Sequence, residues 1–248
     1  MLRRVLARDR WLAAAALAAV TAAAWGWLLL GAGMAMDPGM DMTAPMAMPW
    51  SAGFALLMAA MWVVMMAAMM LPTAAPMVLL VDTIGKSGAR TLAFGAGYLA
   101  AWSGFAAAAT ALQYALEQAL VMSMAMRTTS TALAGALVLA AGLYQLTPLK
   151  QACLRHCRSP LDFVLNRWRQ GLRGALAMGL EHGAYCLGCC WVLMALLFVG
   201  GVMILWWIAV LTLYVLAEKT LPAAHLLARL AGLGLIAWGG AMLALAMA

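Results

Sequence analysis

WSAGFALLMAAMWVVMMAAMML, running from Trp50 to Leu71, decides the fold. It has 22 residues and no charge. A helix that crosses a bilayer needs about 20 apolar residues. The whole chain has the same character: of its 248 residues, 67% are hydrophobic and 9% charged. An ordinary soluble domain is about 45–50% apolar and about 25% charged. So few charges cannot cover a water-facing surface. That excludes a soluble enzyme, a disordered chain and a nucleic-acid binder, despite a formal net charge of +7.

Seven stretches are apolar enough to span, and they are predicted at Trp11–Leu30, Trp50–Leu71, Thr91–Leu116, Thr131–Leu146, Ala175–Val199, Met203–Ala217 and Arg229–Met247. Their Ala, Leu, Met and Gly content and their length predict helices, since barrel strands would be about ten residues long and alternating. The expected fold is an all-α, polytopic transmembrane bundle of about seven spans.

Lys and Arg set the expected orientation. Arg3, Arg4, Arg8 and Arg10 precede the first span, and Lys86 and Arg90 separate the second from the third. Lys150, Arg155, Arg158, Arg167, Arg169 and Arg173 follow the fourth, and Lys219 and Arg229 fall between the last two. All lie on one side if the spans alternate, with Arg127 alone on the other. The amino terminus of this multi-pass chain is therefore expected in the cytoplasm and the carboxyl terminus outside. The basic charge then serves topology and lipid headgroups. The chain divides into a basic start with its first span (1–30), a Met-rich external loop (31–49) and a membrane-helix region (50–248) with a cytoplasmic loop at 147–173. The first span is long for a signal peptide and reads as an uncleaved anchor.

The external loop runs Met34-Ala-Met36-Asp37-Pro38-Gly39-Met40-Asp41-Met42-Thr-Ala-Pro45-Met46-Ala-Met48. The next external loop contains Met122-Ser-Met124-Ala-Met126. Thioethers are soft ligands that select Cu(I) and have no proton to lose. Met36, Met40 and Met42 are the expected collectors, with Asp37 and Asp41 attracting cations. Methionine is also an adaptable apolar filler, but exposed Met between prolines gains little from packing.

In the second span Met58, Met61, Met65 and Met69 recur at helical spacing and share one stripe. Packing and metal contact both fit that stripe. Pro72 and Pro76 follow, freeing the carbonyls of Ala68 and Pro72. A kink is expected there, near the cytoplasmic end. In the fifth span His182, Cys186, Cys189 and Cys190 stand at i, i+4, i+7 and i+8, on one side of a helix, with Glu181 one step around. His and Glu are costly inside a membrane. Soft-metal coordination, thiol–disulfide exchange through Cys186-x-x-Cys189 and a structural role all fit. Counting about 1.5 Å per residue from the expected span ends puts Met58 level with Cys186 and Met61 near His182. That predicts a joint site between spans two and five.

A third cluster, Cys153-Leu-Arg155-His156-Cys157, lies in the cytoplasmic loop. Cys-x3-Cys puts both thiols on one face, and Arg155 and Arg158 would favour thiolate. An exit or docking point for a soft ion, a redox pair and an inert turn are the readings. Glu218-Lys219 reads as an interfacial ion pair or anchor.

Three segments together resemble a family of predicted metal-binding integral membrane proteins of bacteria, catalogued as a domain of unknown function. They are Trp62-x2-Met65-Met66-x2-Met69-Met70-x-Pro72-x3-Pro76, Leu146-Thr-Pro-Leu-Lys150-x2-Cys153-Leu-x2-Cys157 and Gly183-x2-Cys186-x-Gly188-Cys189-Cys190-Trp191, and Glu218-Lys219 completes the set. The resemblance covers roughly residues 50–220 and implies metal binding at the membrane. The Met-rich first loop lies outside it.

The resulting expectation is a membrane protein that handles a soft ion. Copper as Cu(I) is the first choice and zinc the second. The partners are the lipid bilayer, the metal ion, and a metallochaperone or membrane metalloenzyme. No nucleotide-binding Gly-rich loop is present, so any movement is passive, ion-coupled or partner-driven. A membrane thiol–disulfide oxidoreductase and a structural subunit of a larger complex are the rivals.

Overall fold

Helix after helix fills the computed structural model, which describes residues 2–32, 49–123 and 125–247, with side chains from Trp11 onward. Among the described residues the ten helices are α1 (Leu2–Leu29), α2 (Ala52–Gly85), α3 (Gly88–Gln118), α4 (Thr131–Gln145), α5 (Pro148–Arg158), α6 (Pro160–Arg167), α7 (Gly171–Ala195), α8 (Leu197–Gly200), α9 (Leu205–Thr220) and α10 (Ala224–Met247). Among the described residues there is no strand, only an isolated bridge between Met122 and Thr128. The all-α expectation holds.

Five helices are long and apolar enough to cross a membrane: Trp11–Leu29 of α1, then α2, α3, the run Gly171–Gly200 and α10. A sixth span forms if α4 and α5 are joined across their 65° bend. The predicted sixth span is α9, with 16 residues, about 24 Å long against a hydrocarbon core of about 30 Å. Large apolar side chains face outward, including Leu56, Leu92, Trp206, Leu213 and Leu245. That pattern suits a hydrocarbon surround.

Two boundaries depart from the sequence reading. The second span does not stop at Leu71: α2 continues through Pro72 and Pro76 to Gly85. A proline inside a helix is tolerated in a membrane where a neighbour satisfies the freed carbonyl. Trp25 Nε1 of α1 does this, donating to the Ala68 carbonyl at 3.2 Å. The helix closes where Lys86 turns left-handed, with φ 46°. The fifth span begins earlier than predicted, at Gly171, and breaks at Leu196.

The bend after α4 is written locally. Thr147 caps α5 by accepting from the Lys150 amide at 3.3 Å, and Pro148 occupies the first turn, where its missing N–H costs nothing. α5 then folds back along α7.

Glycine sets the closest packing. α3 lies along α7, and α4 along α10. A methyl at Gly183 would meet Ala101 Cβ at 2.7 Å, and one at Gly142 would meet the Ile236 amide at 2.7 Å. Small residues at such seams let backbones approach where lipid supplies no hydrophobic drive. α3 thereby stands between the expected partners α2 and α7. The interior holds Trp62, Phe94, Tyr98, Phe198 and six methionines of α2, all essentially without exposure.

Candidate metal centre

Four thiols gather where α7, α5, α9 and α2 come together beside Tyr98 of α3. Cys186, Cys189 and Cys190 are buried on α7. The thiols of Cys189 and Cys190 each donate to the Cys186 carbonyl at 3.0 Å. Cys157 of α5 brings its Sγ to 4.0 Å from Cys189 Sγ. Metal–thiolate bonds of about 2.3 Å let two sulfurs up to about 4.6 Å apart share an ion. Cys153 packs on Gly188, where an added methyl would lie 2.8 Å from its Sγ. The glycine in the Cys186-x-Gly188-Cys189 segment thus admits the α5 thiols to α7. All five cysteines are free thiols.

Cys186 is the hub. Its Sγ lies 3.0 Å from the Tyr98 hydroxyl and 2.9 Å from Lys219 Nζ. Tyr98 is also 3.1 Å from the Met70 carbonyl, and Lys219 donates to Thr73 Oγ1 at 3.1 Å. Lys219 is buried, and its side chain makes no carboxylate pair among the described residues. A buried ammonium needs a compensating partner. The Cys186 sulfur is the acceptor that as thiolate supplies that charge.

The Glu218-Lys219 expectation is corrected by this geometry. The two do not pair with each other, and both are buried among neighbouring helices. Successive residues on a helix point about 100° apart, so they address different neighbours. Glu218 turns to Lys150 of α5 at 2.7 Å, with both side chains fully buried. Tyr214 donates to Glu218 at 3.3 Å, and Gln145 donates to Tyr214 at 2.6 Å. This ionic lock holds the start of α5, which carries Cys153 and Cys157, against α9.

The joint-site register is also corrected. Tyr98 touches both Met70 and Cys186, so Met70, not Met58, is level with the thiols. Met58 is twelve residues back along α2, about 18 Å away. The error came from ending the span at Pro72. Met58, Met61, Met65 and Met69, with Met66 and Met70, are fully buried and line the interval between the two levels.

The remaining residues fall at the margins. His182 is buried, with its ring among Phe94, Tyr98 and Phe163 at 5.5–6.0 Å and its Nδ1 without a partner. Glu181 pairs with Arg167 and Arg169 at 2.8 and 3.0 Å. His156 stacks on Tyr185 at 4.2 Å and bonds through Nδ1 to the Ala152 carbonyl at 2.9 Å. The arginines do not flank the Cys153/Cys157 thiols as expected: Arg155 is exposed and Arg158 donates to the Leu221 carbonyl at 2.6 Å. Met36, Met40 and Met42 lie outside the described residues. Among the described residues, no three His, Cys, Asp or Glu side chains are arranged to hold a metal ion. The four N/S ligands of a structural zinc site are therefore not assembled, and zinc loses its support.

Sequence reading missed Tyr98 and Thr73, single polar residues with no motif around them, and it placed Lys150 in a motif without its partner Glu218. A lone tyrosine or threonine in an apolar helix carries no signal until its neighbour is known.

A family model described as PpoB2, copper chaperone, matches residues 59–242. The match covers most of the chain, and the chain belongs to this family. No curated protein and no solved structure matches it.

Proposed function

From membership of a copper chaperone family, we propose that this chain is a multi-pass protein of the bacterial inner membrane that accepts Cu(I) on thioethers and holds it on the thiols around Cys186. Copper is cargo in this reading. The observation that carries it is the convergence of Cys157, Cys186, Cys189 and Cys190 from two helices beside the Lys219 ammonium. Soft thiolates select Cu(I), and a Cu(I) bound to two or more thiolates gains overall negative charge that Lys219 offsets. Met61, Met65 and Met69 form the approach along α2. Met36, Met40 and Met42 collect the ion before it. Cys153, Cys157 and His156 stand on the exit side, where a soluble metallochaperone or a membrane metalloenzyme would receive it. His182, one turn from Cys186 toward the start of α7 and against Phe163 of α6, stands on the exit side.

Metal analysis of purified protein under reducing conditions, with copper supplied, tests this. Wild type retains copper, and the Cys186→Ser/Cys189→Ser/Cys190→Ser variant loses the tightly held fraction. Copper at background in wild type overturns the reading. Equal copper in both proteins removes the thiols from it and favours a packing role.

Thiol–disulfide exchange has one observation of its own, the 4.0 Å between Cys157 and Cys189. It predicts a reversible disulfide between these two, trapped by alkylation of intact cells, and activity that survives copper chelation.

A further inference from the structure

A second cluster lies at the other end of α2, near its start at Ala52. Gln113 of α3 is fully buried. Its Nε2 lies 3.6 Å from Met58 Sδ and 3.4 Å from Met126 Sδ, and donates to Glu117 Oε1 at 2.8 Å. Its Oε1 accepts from Trp62 Nε1 at 2.8 Å. That pairing fixes the amide orientation, since a flip would face oxygen to carboxylate and N–H₂ to N–H. Two thioethers and a carboxylate oxygen therefore surround one nitrogen.

Glu117 is 3% exposed, and its other oxygen accepts from Trp50 Nε1 at 2.7 Å. Among the described residues no basic side chain pairs with it, and nearby Arg127 is exposed. Buried carboxylates are ordinarily paired with a cation or coordinate a metal. Met126 is held at φ 53°, a backbone region that a side-chain-bearing residue enters at a cost and that clusters at ligand sites. Two sulfurs and a carboxylate oxygen thus converge on one amide group, and that carboxylate has hydrogen-bond donors but no cation among the described residues.

The geometry points to a separate binding site for a soft monovalent cation, Cu(I) or Ag(I), formed by Met58, Met126 and Glu117. The ion displaces the Gln113 amide group, which moves aside on its flexible stem. The thioethers are neutral and the carboxylate balances the single positive charge, so the bound unit is neutral and suits a buried place. A divalent ion would leave a net charge there, and hard ions do not favour thioethers. The site deepens the copper reading by giving it an uptake position about 18 Å along α2 from the thiols.

The test uses the full chain with all five cysteines changed to Ser, titrated with Ag(I) against a competing chelator. Met58→Leu/Met126→Leu in that background removes one bound ion per chain, or weakens its binding by at least tenfold. Glu117→Gln weakens it in the same direction. Loss is expected with helix content unchanged by circular dichroism. Titration curves that superimpose with and without the two Leu substitutions overturn the site. Should the Cys-free chain not fold, the same Leu pair in the native cysteine background lowers total stoichiometry by one, and an unchanged stoichiometry overturns the site equally. Residues 34–48 are present in every protein compared, so their methionines cancel. A thiol centre that binds no copper, with this site still binding, would remove the function proposed above and leave this one standing.

Discussion

The two ends of the buried interior are built from different chemistry. At the thiol end, Lys219 lies against Cys186, and Lys150 against Glu218. At the thioether end, Met58 and Met126 meet a neutral amide, and Glu117 has no cation among the described residues. Thiolates are charged and bind a soft ion firmly, while thioethers are neutral and lose no proton on binding. The ends thus differ in how readily they would give an ion up. Under the proposed function, a gradient from weak, neutral ligands to strong, charged ones would give a passive chain a direction for its cargo.

The largest effect should fall on the ionic lock. Lys150→Met leaves Glu218 buried without a cation, with only the Tyr214 hydroxyl still donating to it, which costs about 3–5 kcal/mol. The double variant Lys150→Met/Glu218→Leu removes both charges and recovers much of that. Thermal unfolding in detergent reads both. Glu117→Gln, at the other end, should shift stability far less, because no ion pair is broken. A Lys150→Met variant no less stable than Glu117→Gln would erase the contrast between the ends.

The next effect is on retention of copper. Cys186→Ser removes the hub sulfur and is expected to weaken binding by about 100-fold or more, while Tyr98→Phe removes one outer hydrogen bond and costs about 10-fold. Competition against a chelator of known affinity separates them. Equal losses would make Tyr98 a ligand-like partner and not a positioning residue.

These partners mark what the sequence could and could not disclose. The helices were legible because apolar runs of span length are long, repeated signals. The α7 cluster was legible because His182, Cys186, Cys189 and Cys190 recur at helical spacing in an apolar run. Its α5 member was visible as Cys153-x3-Cys157, but not its destination, since a 65° bend at Thr147-Pro148 brings it back to α7. The course of α2 was misread because Pro72 ordinarily ends a helix, and only Trp25 on another helix makes its continuation affordable. Gln113 and Glu117 were passed over: four residues apart near a helix end, they look like an ordinary polar rim until Met58 and Met126 are seen beside them.

Gly188→Ala gives a smaller effect at the seam between α5 and α7. Alanine favours a helix by up to about 1 kcal/mol, while crowding in a packed interior costs about 1–3 kcal/mol. The balance is a loss of at most about 2 kcal/mol, because the Cys153 sulfur, 2.8 Å from the new methyl, must move. The diagnostic readout is Cys153 alkylation, which should speed up as α5 lifts from α7. Unchanged alkylation would mean that α5 adjusts without separating and that Gly188 does not control the approach of its thiols.

The smallest structural effect is expected in the interval between the ends, at Met65. Leucine is nearly isosteric with methionine, so Met65→Leu should change stability by less than about 1.5 kcal/mol. Met65 is fully buried, and the substitution removes a sulfur while keeping the apolar volume. If the methionines only pack, copper supplied from the thioether end reaches the thiols at the wild-type rate. If they carry the ion, arrival slows while the final copper content is unchanged, because both terminal sites are intact. Stopped-flow mixing of vesicle-embedded protein with Cu(I), followed by the ultraviolet absorption of copper–thiolate bonds, measures that rate. Single replacement can be bridged by Met66 or Met61, so Met61→Leu/Met65→Leu/Met69→Leu should slow arrival further than any one change. A triple variant with wild-type kinetics would reduce the stripe to packing and leave the two ends unconnected by sulfur.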